Sequence, residues 1–160
     1  MKLFLSSFRL GESPEKLAEL AAGKGPAVFV ANALDCISDK QVKEKVINRG
    51  IDDLKDIGLE SQVIDLRDYF ESTEKLRNVL AEYRFIFVTG GNVFVLRRAL
   101  KLSGMDTLLQ EMRNDLDVLY AGYSAGACVI GTTMKGLELV DDAEQLPEGS
   151  ASKLVWYGLS

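Results

Sequence analysis

Histidine does not occur among the 160 residues. No other side chain has an unperturbed pKa in the range of about 5 to 8. The usual general base of serine and cysteine hydrolases is therefore missing. Cysteine is nearly absent: Cys36 and Cys128 are too few for a disulfide framework and lack metal-ligand spacing. Neither a metal nor a cofactor is expected, and a reducing cytoplasm is the expected compartment. No apolar run approaches the length of a membrane span. The opening Met1–Ser6 is too short for a signal peptide and reads as a first strand. A basic excess is also lacking, with 19 Lys and Arg against 24 Asp and Glu, net charge −5 and pI about 4.9. That balance excludes the electrostatic footprint of a nucleic-acid binder. The expected partner list is therefore short: no nucleic acid and no membrane.

What is present describes one globular domain over residues 1–160: 47% hydrophobic and 27% charged residues, enough chain to bury a core. Apolar runs alternate with amphipathic stretches. Strands are predicted at Lys2–Ser7, Ala27–Ala33, Gln62–Leu66 and Arg84–Thr89, and at the run Val118-Leu119-Tyr120. A helix opens at Ser13-Pro14, with serine as N-cap, and stops before Gly23 and Gly25. A second starts with capping-box spacing at Ser38–Gln41 and carries Val46, Ile47, Ile51 and Leu54 inward. Ser72 caps a third; Val93–Leu102 and Met105–Leu116 are two more. Leu137–Val140 is predicted as a further strand and Asp141–Ser152, with Pro147 and Gly149, as an exposed loop. The alternation predicts an α/β fold, a three-layer α/β/α arrangement around a mostly parallel sheet.

The stretch Asp117–Gly131 organises the chemistry. A buried strand leads into Gly122-Tyr123-Ser124-Ala125-Gly126, a G-x-S-x-G match, and small residues then start a helix. Strand, sharp turn with serine, then helix is the context a nucleophile elbow needs. Side chains at Gly122 and Gly126 would collide with the neighbouring strand or helix. The helix N-terminus aims free N–H groups where negative charge builds up. If Ser124 attacks a carbonyl, one oxyanion donor is the N–H of Ala125. Gly91, in the turn Thr89-Gly90-Gly91-Asn92 after the neighbouring strand, is the second. Both turns lie at strand carboxyl ends, where parallel sheets collect their chemistry. An inert glycine-rich turn is the competing reading for each. Cys128, one helical turn past Ser124, is expected to be a small packed side chain.

FIFVTGGNVFVL (Phe85–Leu96) followed by AGYSAGA (Ala121–Ala127), with the opening FLSSF (Phe4–Phe8), resembles the peptidase E (aspartyl dipeptidase) and cyanophycinase family. The resemblance implies a fold like the class I glutamine amidotransferases (flavodoxin-like), a serine nucleophile at Ser124 and oxyanion donors at Gly91 and Ala125. It implies serine-type hydrolysis of small peptides beginning with aspartate, or of aspartyl–arginine linkages. A triad acid is implied downstream of Ser124, at Glu138, Asp141 or Asp142. The family's histidine lies in a Pro-His-aromatic segment after a Gly-Leu run, and this chain reaches Gly158-Leu159-Ser160 without it. A C-terminally truncated peptidase, inactive in the 160-residue form, is the leading expectation. A catalytically dead binding or interaction module on the same fold is the alternative, and a flavodoxin-like nucleotide binder is a third. A sheet edge left exposed by truncation predicts a homodimer.

Overall fold

Residues 1–146 and 153–160 are described by a computed structural model. Five strands alternate with helices: β1 (Lys2–Ser6), α1 (Pro14–Ala21), β2 (Ala27–Val30), α2 (Lys40–Asp56), β3 (Ser61–Ile64), α3 (Thr73–Leu80), β4 (Phe85–Val88), α4 (Val93–Ser103), α5 (Met105–Glu111), β5 (Leu119–Tyr123) and the single-turn α6 (Ala125–Cys128). They form one sheet in the order β1-β5-β4-β2-β3, and every pairing is parallel.

Parallel neighbours cannot be joined by hairpins, so each connection crosses over, and the crossover is right-handed. The steps β1 to β2 to β3 run one way across the sheet; β3 to β4 to β5 run back. Helices from the two directions consequently cover opposite faces. Leu17, Ala21 and Leu54 of α1 and α2 pack on Phe29, Phe85, Phe87, Leu119 and Ala121. Leu76, Phe94, Leu96 and Leu108 of α3, α4 and α5 pack on Val28, Val30, Ile86, Val88 and Tyr120. The period-two alternation of a strand delivers neighbouring residues to the two layers. Burial on both faces explains why β2 and β4 read as unbroken apolar runs. This is the expected three-layer α/β/α fold.

Three local expectations are corrected. The helix after β2 is capped by Asp39, not Ser38: the carboxylate accepts from the N–H groups of Gln41 (2.9 Å) and Val42 (3.2 Å), and its charge suits a helix N-terminus. Leu137–Val140 is not a strand. Gly136, at φ 97, starts a 3₁₀ turn over Leu137–Leu139 whose bonds are local, from Leu137 N–H to Met134 O and Val140 N–H to Leu137 O. Asp141–Ser152 is not simply an exposed loop, because its first half is tied to α4; positions 147–152 lie outside the described residues.

The ties come from a helix the sequence presents as apolar nearly all round, as buried helices are. From Val93 to Leu100 every residue of α4 is buried, including Arg97 (1% exposed) and Arg98 (2%). Arg97 Nη1 donates to Asp106 Oδ2 and Nε to the carbonyl of Tyr157, both at 2.9 Å. Arg98 donates to the carbonyls of Gln145 (2.8 Å) and Ala143 (2.7 Å). Burial lowers the pKa of Arg98 from its ordinary value, and Glu144 and Asp142 act against that. Removing one partner of a buried pair leaves the other charge uncompensated, at a cost of about 3–5 kcal/mol. Arg97→Ala is expected to destabilise the chain by about that amount in urea unfolding. Arg97→Lys is expected to recover only part of it, because an ammonium lacks the planar fork.

Candidate active site

β5 ends at Tyr123, α6 begins at Ala125, and Ser124 joins them at φ 50, ψ −114 with its side chain exposed. A residue with a Cβ holds such a conformation at a cost of about 1–3 kcal/mol, and only where its surroundings over-determine it. Here they do. Ser124 N–H donates to Ser6 O (3.1 Å), and Ser124 O accepts from Ala127 N–H (2.9 Å) and Cys128 N–H (2.8 Å). A Cβ on Gly122 would fall 2.5 Å from the Gly126 carbonyl oxygen, and one on Gly126 would fall 2.4 Å from that of Val88. Tyr120, fully buried, donates its hydroxyl to Gly126 O at 2.7 Å. Burial pushes that phenol well above its ordinary pKa, so it stays a neutral donor.

The second glycine turn lies directly against the elbow. A Cβ on Gly90 would sit 3.0 Å from Ser124 Cβ and 2.8 Å from the Tyr123 ring. Gly91 adopts φ 141, and a Cβ there would strike Ala33 O at 2.3 Å. Asn92 N–H donates to the same oxygen at 2.9 Å. Gly91 thus occupies the crevice between β2 and β4, where the connections leave in opposite directions and ligands of parallel sheets collect. Asn92 caps α4, its side-chain oxygen accepting from Phe94 N–H (2.9 Å) and Val95 N–H (3.1 Å). Among the described residues, the N–H groups of Gly91 and Ala125 have no hydrogen-bond partner.

The three candidate acids have separate fates. Asp141 Oδ2 accepts from Val93 N–H at 2.8 Å, at the N-terminus of α4. Asp142 places its carbonyl on Asn92 Nδ2 (2.9 Å) and its carboxylate on Glu144 N–H (2.9 Å). Glu138 folds back on Gly136 N–H at 2.6 Å. Asp141 and Asp142 therefore reach the residues following Gly91, and Glu138 stays on its own turn. Cys128, expected to be packed, is exposed, because α6 is one turn long and its outer side is uncovered. Among the described residues no group of His, Cys, Asp and Glu is arranged to hold a metal ion.

Several participants carry no sequence signal. Arg9, at φ 47, is held by Ser6 Oγ donating to its carbonyl (2.6 Å) and by a two-point ion pair of its guanidinium with Asp53. Tyr123 packs on Phe87 with ring centroids 6.2 Å apart. Burial raises its pKa, and the Gly90 N–H and Arg9 work in the opposite direction. Asn32, 3% exposed, accepts from Leu66 N–H (3.1 Å) and donates to Asp35 (2.8 Å) and Asp65 (2.9 Å), binding the ends of β2 and β3 together. The run Ala27–Ala33 reads as one strand, but β2 stops at Val30, which frees Asn32 to make these bonds.

Comparison with known proteins adds the following. The model of peptidase family S51 matches residues 10–155. The chain is 36% identical over 96 residues to an uncharacterized peptidase of Listeria innocua, covering 58% of this chain and 46% of that protein. A similar protein of Listeria monocytogenes is 33% identical over 92 residues, covering 58% and 43%. The matches thus span less than half the length of these relatives. The 1.5 Å crystal structure of a protein from Listeria monocytogenes EGD-e, described as a candidate peptidase E, superposes with TM-score 0.76 at 27% identity, over 99% of this chain and 74% of that one. A peptidase structure from an acI-B1 Actinobacterium shares the fold at TM-score 0.59 and 23% identity, over 82% and 57%.

Ser124→Gly, which relieves the positive φ, is expected to raise unfolding stability by about 1 kcal/mol, whereas Ser124→Ala is not, as urea midpoints will show. For Asp65, burial acts to raise the pKa, but hydrogen bonds from Arg67 and Asn32 outweigh it and bring it down to about 2. A carboxylate with a depressed folded pKa contributes stability that is present above its unfolded value of 3.8 and lost as pH falls through about 2. Asp65→Asn should therefore lower the urea midpoint at pH 7, with the gap from wild type closing between pH 4 and pH 2 (about the range bounded by the two pKa values).

Proposed function

Since the chain belongs to peptidase family S51, we propose that its elbow is built for peptide hydrolysis, with Ser124 as the nucleophile. The observation that carries this is the backbone of Ser124, held at φ 50 with its side chain exposed between β5 and α6. Ser124 Oγ attacks the scissile carbonyl, and charge develops on the carbonyl oxygen. The N–H groups of Gly91 and Ala125 receive that oxygen; losing one such donor costs about 10²–10³ in rate. Collapse of the tetrahedral intermediate expels the amine and leaves an acyl-serine, which water then hydrolyses. Asp141, Asp142 or Glu138 would orient the base. Peptides beginning with aspartate are the proposed substrates, on the family resemblance, and the cytoplasm the proposed compartment.

The proton leaving Ser124 needs an acceptor near neutral pH, and the 160 residues contain no histidine. Oxyanion donors and binding alone leave about 10³–10⁴-fold acceleration over water, far below a working hydrolase. These residues by themselves therefore bind peptide without turning it over. The missing base also supports a second reading, a binding module that retains the fold.

The 160-residue chain is expected to release p-nitroaniline from aspartyl p-nitroanilide no faster than that residual level, about 10³–10⁴-fold over water, and unchanged by Ser124→Ala. Turnover that Ser124→Ala abolishes would overturn the inactive reading. Prolonged exposure to a fluorophosphonate, followed by peptide mapping, should yield an adduct at Ser124. No adduct there even with imidazole added as an external base, with the fold intact, would sink the nucleophile assignment and leave the binding module.

A further inference from the structure

Tyr123, the residue before Ser124, also lines a cleft of about 560 Å³ between the loop after β1 and α2. Phe8 and Arg9 form one wall; Val46, Lys45 and Arg49 form the other. We propose that this cleft seats a carboxylate of a short peptide, with Lys45 and Arg49 as the recognising cations. The proposal rests on the hydrolase reading only for placing the rest of the peptide over Ser124.

Charge is the first support. Arg9 and Asp53 form a two-point ion pair and cancel each other. Lys45 and Arg49 are both exposed, line the same cleft one helical turn apart, and make no ion pair among the described residues. The cleft therefore carries two uncompensated positive charges in a chain whose net charge is −5. Like charges at i and i+4 repel, and an anion held between them removes that penalty. An arginine fork and an ammonium side by side suit a carboxylate, one by paired hydrogen bonds and the other as a point charge.

Shape is the second. The cleft extends to Gly50 of α2, where a Cβ would fall 2.7 Å from Phe29 Cζ. The Phe29 ring fills the position a side chain there would take, so Gly50 lets α2 lie close on the sheet and forms the floor of the cleft. Phe8, 67% exposed, and Val42, 45% exposed, give the cleft apolar wall for the stem of a peptide side chain.

Connection to the elbow is the third. The Phe8–Arg9 wall is held by Ser6 Oγ on Arg9 O, and the carbonyl of that same Ser6 accepts the N–H of Ser124. The Tyr123 ring reaches both the cleft and Gly90, whose Cβ position is 2.8 Å from it. The cleft wall and the turn bearing the serine therefore hang on one short segment, arranged before any ligand arrives, which lowers the ordering cost of binding.

The carboxylate has two possible sources, an aspartate side chain or a free C-terminus, and three dipeptides separate them. Calorimetric titration of the 160-residue chain uses Asp-Leu-amide (side-chain carboxylate alone), Ala-Leu (C-terminal carboxylate alone) and Ala-Leu-amide (neither). At least one carboxylate-bearing peptide is expected to bind at least about tenfold more tightly than Ala-Leu-amide, and more weakly as salt rises. The one that does identifies the source. Arg49→Glu and Lys45→Glu are each expected to weaken that binding at least about tenfold, with urea midpoints near wild type because both side chains are exposed. Absence of binding, equal binding of Ala-Leu-amide, or affinity unchanged in both variants would overturn the proposal. The two readings fail separately. A chain that labels at Ser124 but shows no carboxylate-dependent binding overturns the cleft alone, whereas wild type that binds through Lys45 and Arg49 but gives no Ser124 adduct overturns the nucleophile alone.

Discussion

The arrangement depends on how closely the β5–α6 turn can approach the end of β4. Two missing side chains allow it: at Gly126, where a Cβ would lie 2.4 Å from Val88 O, and at Gly122, where it would lie 2.5 Å from Gly126 O. With that approach permitted, Ser124 is forced into a conformation it would not choose, and its side chain is left in solvent. The same approach brings Gly90 alongside. Strain at the serine and closeness of the two turns are thus one steric fact seen from two sides. It is tolerated because the flanking sheet is buried on both faces and cannot relax cheaply.

The layer carrying α4 contributes differently. Its helix is covered all round, and its two arginines reach through the cover to carbonyls rather than to water. Tyr157 is gripped twice, through its carbonyl by Arg97 Nε and through its ring, whose centroid lies 5.0 Å from the Arg97 guanidinium carbon. The segments on both sides of 147–152 are therefore anchored to the helix that starts at the Gly90–Gly91 turn. Asp141 on Val93 N–H completes that link, charge meeting a helix N-terminus. The acidic stretch that reads as solvated loop charge is partly a helix cap.

On the α2 side, the geometry places a strained arginine loop, an aromatic ring and two unpaired cations around a cleft beside the elbow. Tyr123 belongs to both. Its ring faces the cleft while its backbone enters the serine turn.

The strand and helix pattern, the parallel sheet and the strand–turn–helix bend at Ser124 were legible because they rest on local rules. Runs such as AVFV and FIFV signal strands covered on both faces, and Gly-x-Ser-x-Gly between a strand and a helix needs only neighbouring residues to be read. Local rules also misled: Leu137–Val140 has strand-like composition but closes on its own carbonyls, and Asp39 took the cap that Ser38 seemed suited to. No neighbouring residue marks Arg97 and Arg98 as buried; the packing of three segments around α4 buries them. What the order of residues determined by itself was the alternation, the strand-to-helix turn at Ser124 and the lack of an imidazole, since each is a property of adjacent residues or of composition. The strand order, the meeting of residues 90 and 124, and the pairing of Arg9 with Asp53 were decided only in three dimensions. They join residues far apart in the chain, and the energy that selects them comes from surfaces that exist only once the sheet has closed around its core.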